Sequence, residues 1–133
     1  MIKPMMDGRM PGIPDLSTAV VDVRDVVDLH VRAMTAPEAA GQRFIAAAGD
    51  TVSFTYIAAT LRSRLGEKAS RVPEPRLPSL VVRAGGLVVP ALGEMSGNLG
   101  VVRNVDAGRT RHRLGWAPRS AEDAVTAGGQ SLL

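Results

Sequence analysis

The side chains able to do chemistry in this chain of 133 residues are few and scattered. Its two histidines, His30 and His112, lie far apart, no His-Glu-x-x-His helix occurs, and there is no cysteine. Thiolate metal sites, disulfides and a cysteine nucleophile are excluded, and the histidines are not clustered as a metal ion needs. His30 falls on an otherwise apolar helical face and reads as a packed or half-exposed structural residue. His112 stands among Arg109, Arg111 and Arg113 and reads as part of a solvated basic face. No serine occupies a Gly-x-Ser-x-Gly elbow. The one tyrosine, Tyr56, would need a lysine one helical turn on to lower its phenol pKa, but Thr60 stands there. Tyr56 therefore reads as a helix residue at the core or its rim. Gly93, Gly97 and Gly100 approach the spacing of a phosphate-cradling loop. No convincing strand precedes them and no strong helix follows, as such a loop requires.

Positive charge is the other candidate for chemistry. The stretch Arg103 to Arg119 holds five arginines and a histidine against one aspartate. Interleaved aromatics for stacking bases are missing apart from Trp116, and the net charge is only +3. Nucleic-acid binding is thus disfavoured, and recognition of a small anion by Arg103 is the stronger reading.

The elements that must position these residues follow from periodicity and punctuation. Met1 to Ser17 reads as irregular chain, because its prolines and the turn signals Asp7-Gly8 and Pro11-Gly12 disfavour a helix. The run VVDVRDVVDLH, residues 20–30, mixes valines with three aspartates and an arginine. It reads as a short buried strand, Val20 to Val23, then Asp25 as N-cap of a helix with Val26, Leu29, His30 and Ala33 on one face. Arg24 is placed to pair with Asp22 or Asp28. Ala36-Pro37 ends that helix. Gly41 to Ala48 reads as a second strand. Ser53 caps a helix carrying Ile57, Ala58, Leu61 and Leu65, closed by Gly66. Ser70 to Pro75 gives a short extended segment, Leu77 to Val89 a helix weakened by Gly85-Gly86, and Met95 to Val105 a glycine-rich loop with a short strand at Val101-Val102. Asp106 caps a helix ending at Gly115, and Ser120 with Asp123 forms a capping box before the last helix.

Two strands, each followed by a helix, predict an α/β fold with a parallel sheet and crossovers. Two or three strands cannot cover both faces and edges of such a sheet. The chain therefore reads as one region, residues 1–133, of something larger. Aromatics make up 3% of the sequence, so Ala, Val, Leu, Ile and Met must build the core. No signal-peptide pattern occurs, and the most apolar stretch, Leu80 to Leu92, is broken by Arg83 and Pro90. The expectation is a cytoplasmic protein without a membrane partner.

Three segments in order carry a family resemblance: VVDVRDVVDLHVRAM (20–34), GQRFIAAAGDTVSFTYIAATLRSRLG (41–66) and RNVDAGRTRHRLGWAPRSAEDAV (103–125). Together they resemble the C-terminal portion of an extended short-chain dehydrogenase/reductase, in the NAD-dependent epimerase/dehydratase family and its dihydroflavonol-reductase-like or aldehyde-reductase branch. The resemblance runs from about Asp7 to the end. It implies an incomplete Rossmann-like fold: the last β-α units plus the small C-terminal substrate-binding subdomain. It also implies a parent oxidoreductase using NAD or NADP on a carbonyl or sugar-like substrate. The family's glycine-rich loop and Tyr-x-x-x-Lys pair are missing here, so the N-terminal dinucleotide-binding half is absent. The chain is expected to bind no cofactor alone, to hold no catalytic residue and to be inactive by itself. The family's substrate-facing loop falls on Met10 and Pro11, and Arg103 is nearest to a phosphate-contacting basic residue. The alternative is a non-catalytic interaction module that dimerises, or complements a partner chain, through exposed sheet edges.

Overall fold

The computed structural model describes residues 1–85 and 97–133 and shows a mixed α/β chain with a small two-stranded sheet. Helix α1 spans Ile2–Met6, within the stretch expected to be irregular. Pro4 does not prevent it, because first-turn N–H groups have no intrahelical acceptor for a proline to forfeit. The helix is held by tertiary packing, with Met5 and Met6 both buried. Strand β1 (Ser17–Thr18) pairs antiparallel with β2 (Val52–Ser53), Ser17 opposite Ser53 and Thr18 opposite Val52.

Neither expected strand, 20–23 or 41–48, forms a ladder, and the sheet is antiparallel rather than parallel. The alternation of a strand is nevertheless present. Val20 packs toward one core, while Ala19 and Val21 pack toward another. What is missing is a neighbour. A single bond joins the two segments, from the Ala48 N–H to the Val20 carbonyl at 2.8 Å. Further back along the second segment, the Thr110 hydroxyl takes both backbone groups of Ile45. It accepts from the N–H at 3.0 Å and donates to the carbonyl at 2.7 Å. A side chain thus occupies the place of a ladder strand.

Helix α2 runs Val23–Thr35 and is capped by Asp22 rather than by Asp25. A short 3-10 turn, Pro37–Ala39, follows it. Helix α3, Phe54–Leu65, begins on the expected Ser53 cap, with the Tyr56 N–H donating to Ser53 Oγ at 3.0 Å. Helix α4 covers Ser79–Gly85; the rest of the expected helix to Val89, with Gly86, Gly93 and Met95, lies outside the described residues. Val101 and Val102 form no strand. Helix α5, Gly108–Leu114, has its cap position at Ala107, one residue beyond the expected Asp106, yet Asp106 still accepts from the Gly108 N–H at 2.6 Å. Helix α6, Ala121–Gln130, opens on the capping box, the Asp123 N–H donating to Ser120 Oγ at 3.1 Å.

Two cores result. The first gathers Met5, Ile57, Leu61 and Val125, from α1, α3 and α6, with Ile13 from the segment between α1 and β1. The second gathers Leu29, Ala47, Ala107, Leu114 and Trp116, from α2, α5 and the segment before β2. The extended residues 19–21 form the wall between them. Among the described residues no helix is long and apolar enough to cross a membrane.

Candidate functional site

The charged head of α2 settles first what the aspartates do. Asp22, with its side chain 3% exposed, accepts the Arg24 N–H, Nε and Nη2, the last at 2.5 Å. These bonds hold its carboxyl well below the usual range, at about 2, against the opposing effect of burial. Asp28 is left to Arg32, 2.7 Å away and one turn on. Asp25, expected as the cap, lies inside the first turn and is buried. It accepts the backbone N–H of Arg119 at 2.8 Å and pairs with the Arg119 guanidinium. Its own carbonyl accepts from Trp116 Nε1 at 2.9 Å. Arg32 then donates to the carbonyls of Leu114 and Gly115 at the end of α5, a cation on the negative end of a helix. Of the motif charges, Asp22 and Arg24 are spent on capping α2, and Asp25, together with Arg32, joins α2 to the segment 114–119.

The expected site residues fall in two places. Met10 is partly buried against the first core, and Pro11 is exposed. Both lead into a close contact at Gly12, where a Cβ would sit 2.8 Å from Leu77 Cγ and 2.9 Å from the Pro75 carbonyl. That contact is fixed by bonds from the Ile13 N–H to Pro75 (2.9 Å) and from the Leu77 N–H to Ile13 (2.8 Å). Arg103 is exposed and lines a cavity of about 240 Å³ with Ser17, Thr18, Phe54 and Asn98. The Thr51 hydroxyl donates to its carbonyl at 2.6 Å. Met10 and Pro11 do not line this cavity.

A second cavity, of about 290 Å³, has Ile13, Asp15, Thr55, Arg76 and Ser79 on its walls. The strip Ile13–Thr18 therefore contributes to two small polar hollows, with one arginine in each. Sequence reading missed Arg76, because only the parallel bridge between Ile13 and Arg76 brings it there. Such hollows offer hydroxyls and a guanidinium to an anionic or carbonyl group.

The other singled-out residues do not join this site. Tyr56 is 41% exposed, outside the core where it was expected to lie or border. His30 is also exposed, its Nδ1 donating to the Val26 carbonyl 2.7 Å away. In the arginine stretch, Arg109 bonds Gln42, Arg111 donates to the Ala48 carbonyl at 2.9 Å, and Arg119 serves Asp25. Among the described residues no cluster of three or more His, Asp or Glu side chains is placed to hold a metal ion.

A third cavity, about 700 Å³, lies between residues 19–24 and α6. Its walls are mostly Val, Ala and Gly, and its one cation, Arg24, is committed to Asp22. No glycine-rich turn leads into a helix there to cradle a pyrophosphate. The residues of this cavity do not fit a dinucleotide.

No protein-family model matches the chain, and neither does any curated protein sequence. Among solved structures it is similar to one described as the crystal structure of gox2253, with a TM-score of 0.68 and 22% identity. The match covers 99% of this chain and 42% of that one, so the chain spans well under half the length of the solved protein whose fold it shares.

Proposed function

We propose that residues 1–133 are the substrate-side, C-terminal portion of an NAD(P)-dependent oxidoreductase of the extended short-chain dehydrogenase/reductase type, inactive alone. The observation that carries this reading is the meeting of the three motif segments around one core. Asp25 of the first holds Trp116 and Arg119 of the third, and Thr110 of the third holds Ile45 of the second. Residues that far apart in sequence converge because they build one subdomain. The part of the fold that gox2253 has beyond the matched region leaves room for a dinucleotide-binding half.

In this reading the substrate is a carbonyl compound of dihydroflavonol type, or a sugar-like one. It is met by the loop at Met10 and Pro11 and by Arg103. The NAD or NADP belongs to a dinucleotide-binding half outside residues 1–133, which also supplies the groups that move the proton, and the compartment is the cytoplasm. Calorimetric titration of NADH and NADPH into the purified chain is expected to give no binding and no reductase turnover. Micromolar cofactor binding would sink the reading.

One observation favours a second reading, a non-catalytic module that dimerises or complements a partner by its sheet edge. Among the described residues the N–H and C=O of Val21 have no backbone partner, an open edge of the kind that accepts another strand. Sedimentation separates the two: a discrete dimer of the pure chain supports the module, and a monomer supports the oxidoreductase portion.

A further inference from the structure

The hollow at Arg76 differs from the one at Arg103 in holding a carboxylate as well as a guanidinium, because Asp15 stands on the same wall. The backbone, not attraction between the two charges, brings them there. The Ile13 N–H donates to the Pro75 carbonyl and the Leu77 N–H to the Ile13 carbonyl, so Arg76 sits between two bonded neighbours. The Asp15 carbonyl accepts from the Gly100 N–H at 2.8 Å, and the Leu16 carbonyl from the Phe54 N–H at 2.9 Å. A Cβ on Gly100 would stand 3.6 Å from Asp15 Oδ2, so the carboxylate lies against that turn. Among the described residues neither Asp15 nor Arg76 forms an ion pair, with the other or with any third group. Glu74, the acid nearest to Arg76 in sequence, faces Arg62 at 3.9 Å. Two opposite charges thus share a hollow of about 290 Å³ without meeting.

Opposite charges held apart beside water gain little from each other. They gain more from a ligand that carries both charges and lies between them. A guanidinium takes a carboxylate with two parallel N–H bonds, and a carboxylate takes an ammonium. The Thr55 and Ser79 hydroxyls on the same walls can donate to the first or accept from the second. Ile13 and Leu77 add aliphatic surface to the lining. The volume lies near the lower limit for ligand cavities, so the occupant is small. We propose that this hollow binds a small zwitterion, an α-amino acid with a short aliphatic side chain. The site is separate from the hollow at Arg103 and does not depend on the oxidoreductase reading. Both charged residues are exposed, so water and salt hold the affinity to a Kd of about 1 mM.

The test is an NMR titration of the full chain with L-valine, isovalerate and isobutylamine; the last two each lack one of the charges of the first. L-Valine is expected to shift the amide resonances of Asp15, Thr55 and Ser79, and each single-charge probe to bind at least about tenfold more weakly. Asp15→Asn and Arg76→Gln should each weaken L-valine by about tenfold while leaving the spectrum unchanged elsewhere. The single-charge probes decide the matter on the parent chain even where a variant fails to fold. Isovalerate binding as tight as that of L-valine makes the hollow a simple anion site and overturns the proposal. L-Valine binding that both variants leave intact overturns it too, as does the absence of shifts at these residues at about 20 mM L-valine.

Discussion

Asp22 and Asp25 are three residues apart, both suited to cap a helix, and they do different work. Asp22 takes the cap because its side chain reaches the Arg24 N–H while the guanidinium of the same residue folds back onto it. The group has a folded pKa of about 2 against an ordinary 3.8. A lowered carboxyl pKa contributes stability that is complete above about pH 4 and is lost as pH falls toward 2. The contribution is at most about 2 kcal/mol, given that Arg24 is largely solvated. Asp22→Asn keeps a capping oxygen but not the charge. In urea melts between pH 7 and 2 it should lose up to that amount at neutral pH and flatten this part of the acid slope. An unchanged slope would show that the pair is energetically idle. Asp25 was misplaced as the cap because the residue that claims it, Arg119, stands at the far end of the chain. Sequence shows that a carboxylate is near a helix start; only tertiary contacts tell which of two neighbours faces outward.

Elements whose ends rest on their own side chains were readable. Ser53 and Ser120 cap where expected, Gly115 ends α5 with a φ of 57°, and Ala36-Pro37 stops α2. Each is a bond or a steric limit within a few residues. The strands were not readable, because a run of valines specifies extended backbone and says nothing of whether a neighbour arrives to pair with it. The site was read in part: Arg103 does line a hollow, while Arg76 reaches its own only through a long-range bridge. At the level of element packing, α6 meets α3 at Gly129, where a Cβ would lie 2.6 Å from Leu61 Cδ2 and 2.7 Å from Leu65 Cδ1. Leu61 is fully buried and has nowhere to retreat. Gly129→Ala gains helix propensity of about 1 kcal/mol but overpacks the core by about 1–3 kcal/mol. A net loss of about 1 kcal/mol is expected by chemical denaturation. A more stable variant would mean that α6 can slide away from α3.

At the scale of the whole molecule, the organising fact is a pair of cores divided by one extended wall. The expected buried strand at 20–23 does not form, yet Val20 and Val21 pack toward opposite cores. Its lack of a ladder leaves the backbone groups of Val21 without a backbone partner among the described residues. Val23, Val27, Val31 and Met34 of α2 are exposed, so their replacement is expected to cost the fold little.

The wall has a practical corollary for anyone who follows the unfolding of this protein by light. Trp116 is the only tryptophan, and it sits in the second core, fully covered. Its emission therefore watches α2, α5 and their contacts, and is blind to the packing of α1, α3 and α6. Circular dichroism sums the helices of both. Heating curves recorded by the two methods should separate if the cores let go independently, and curves that coincide would mean that the wall of residues 19–21 transmits the collapse of one core to the other.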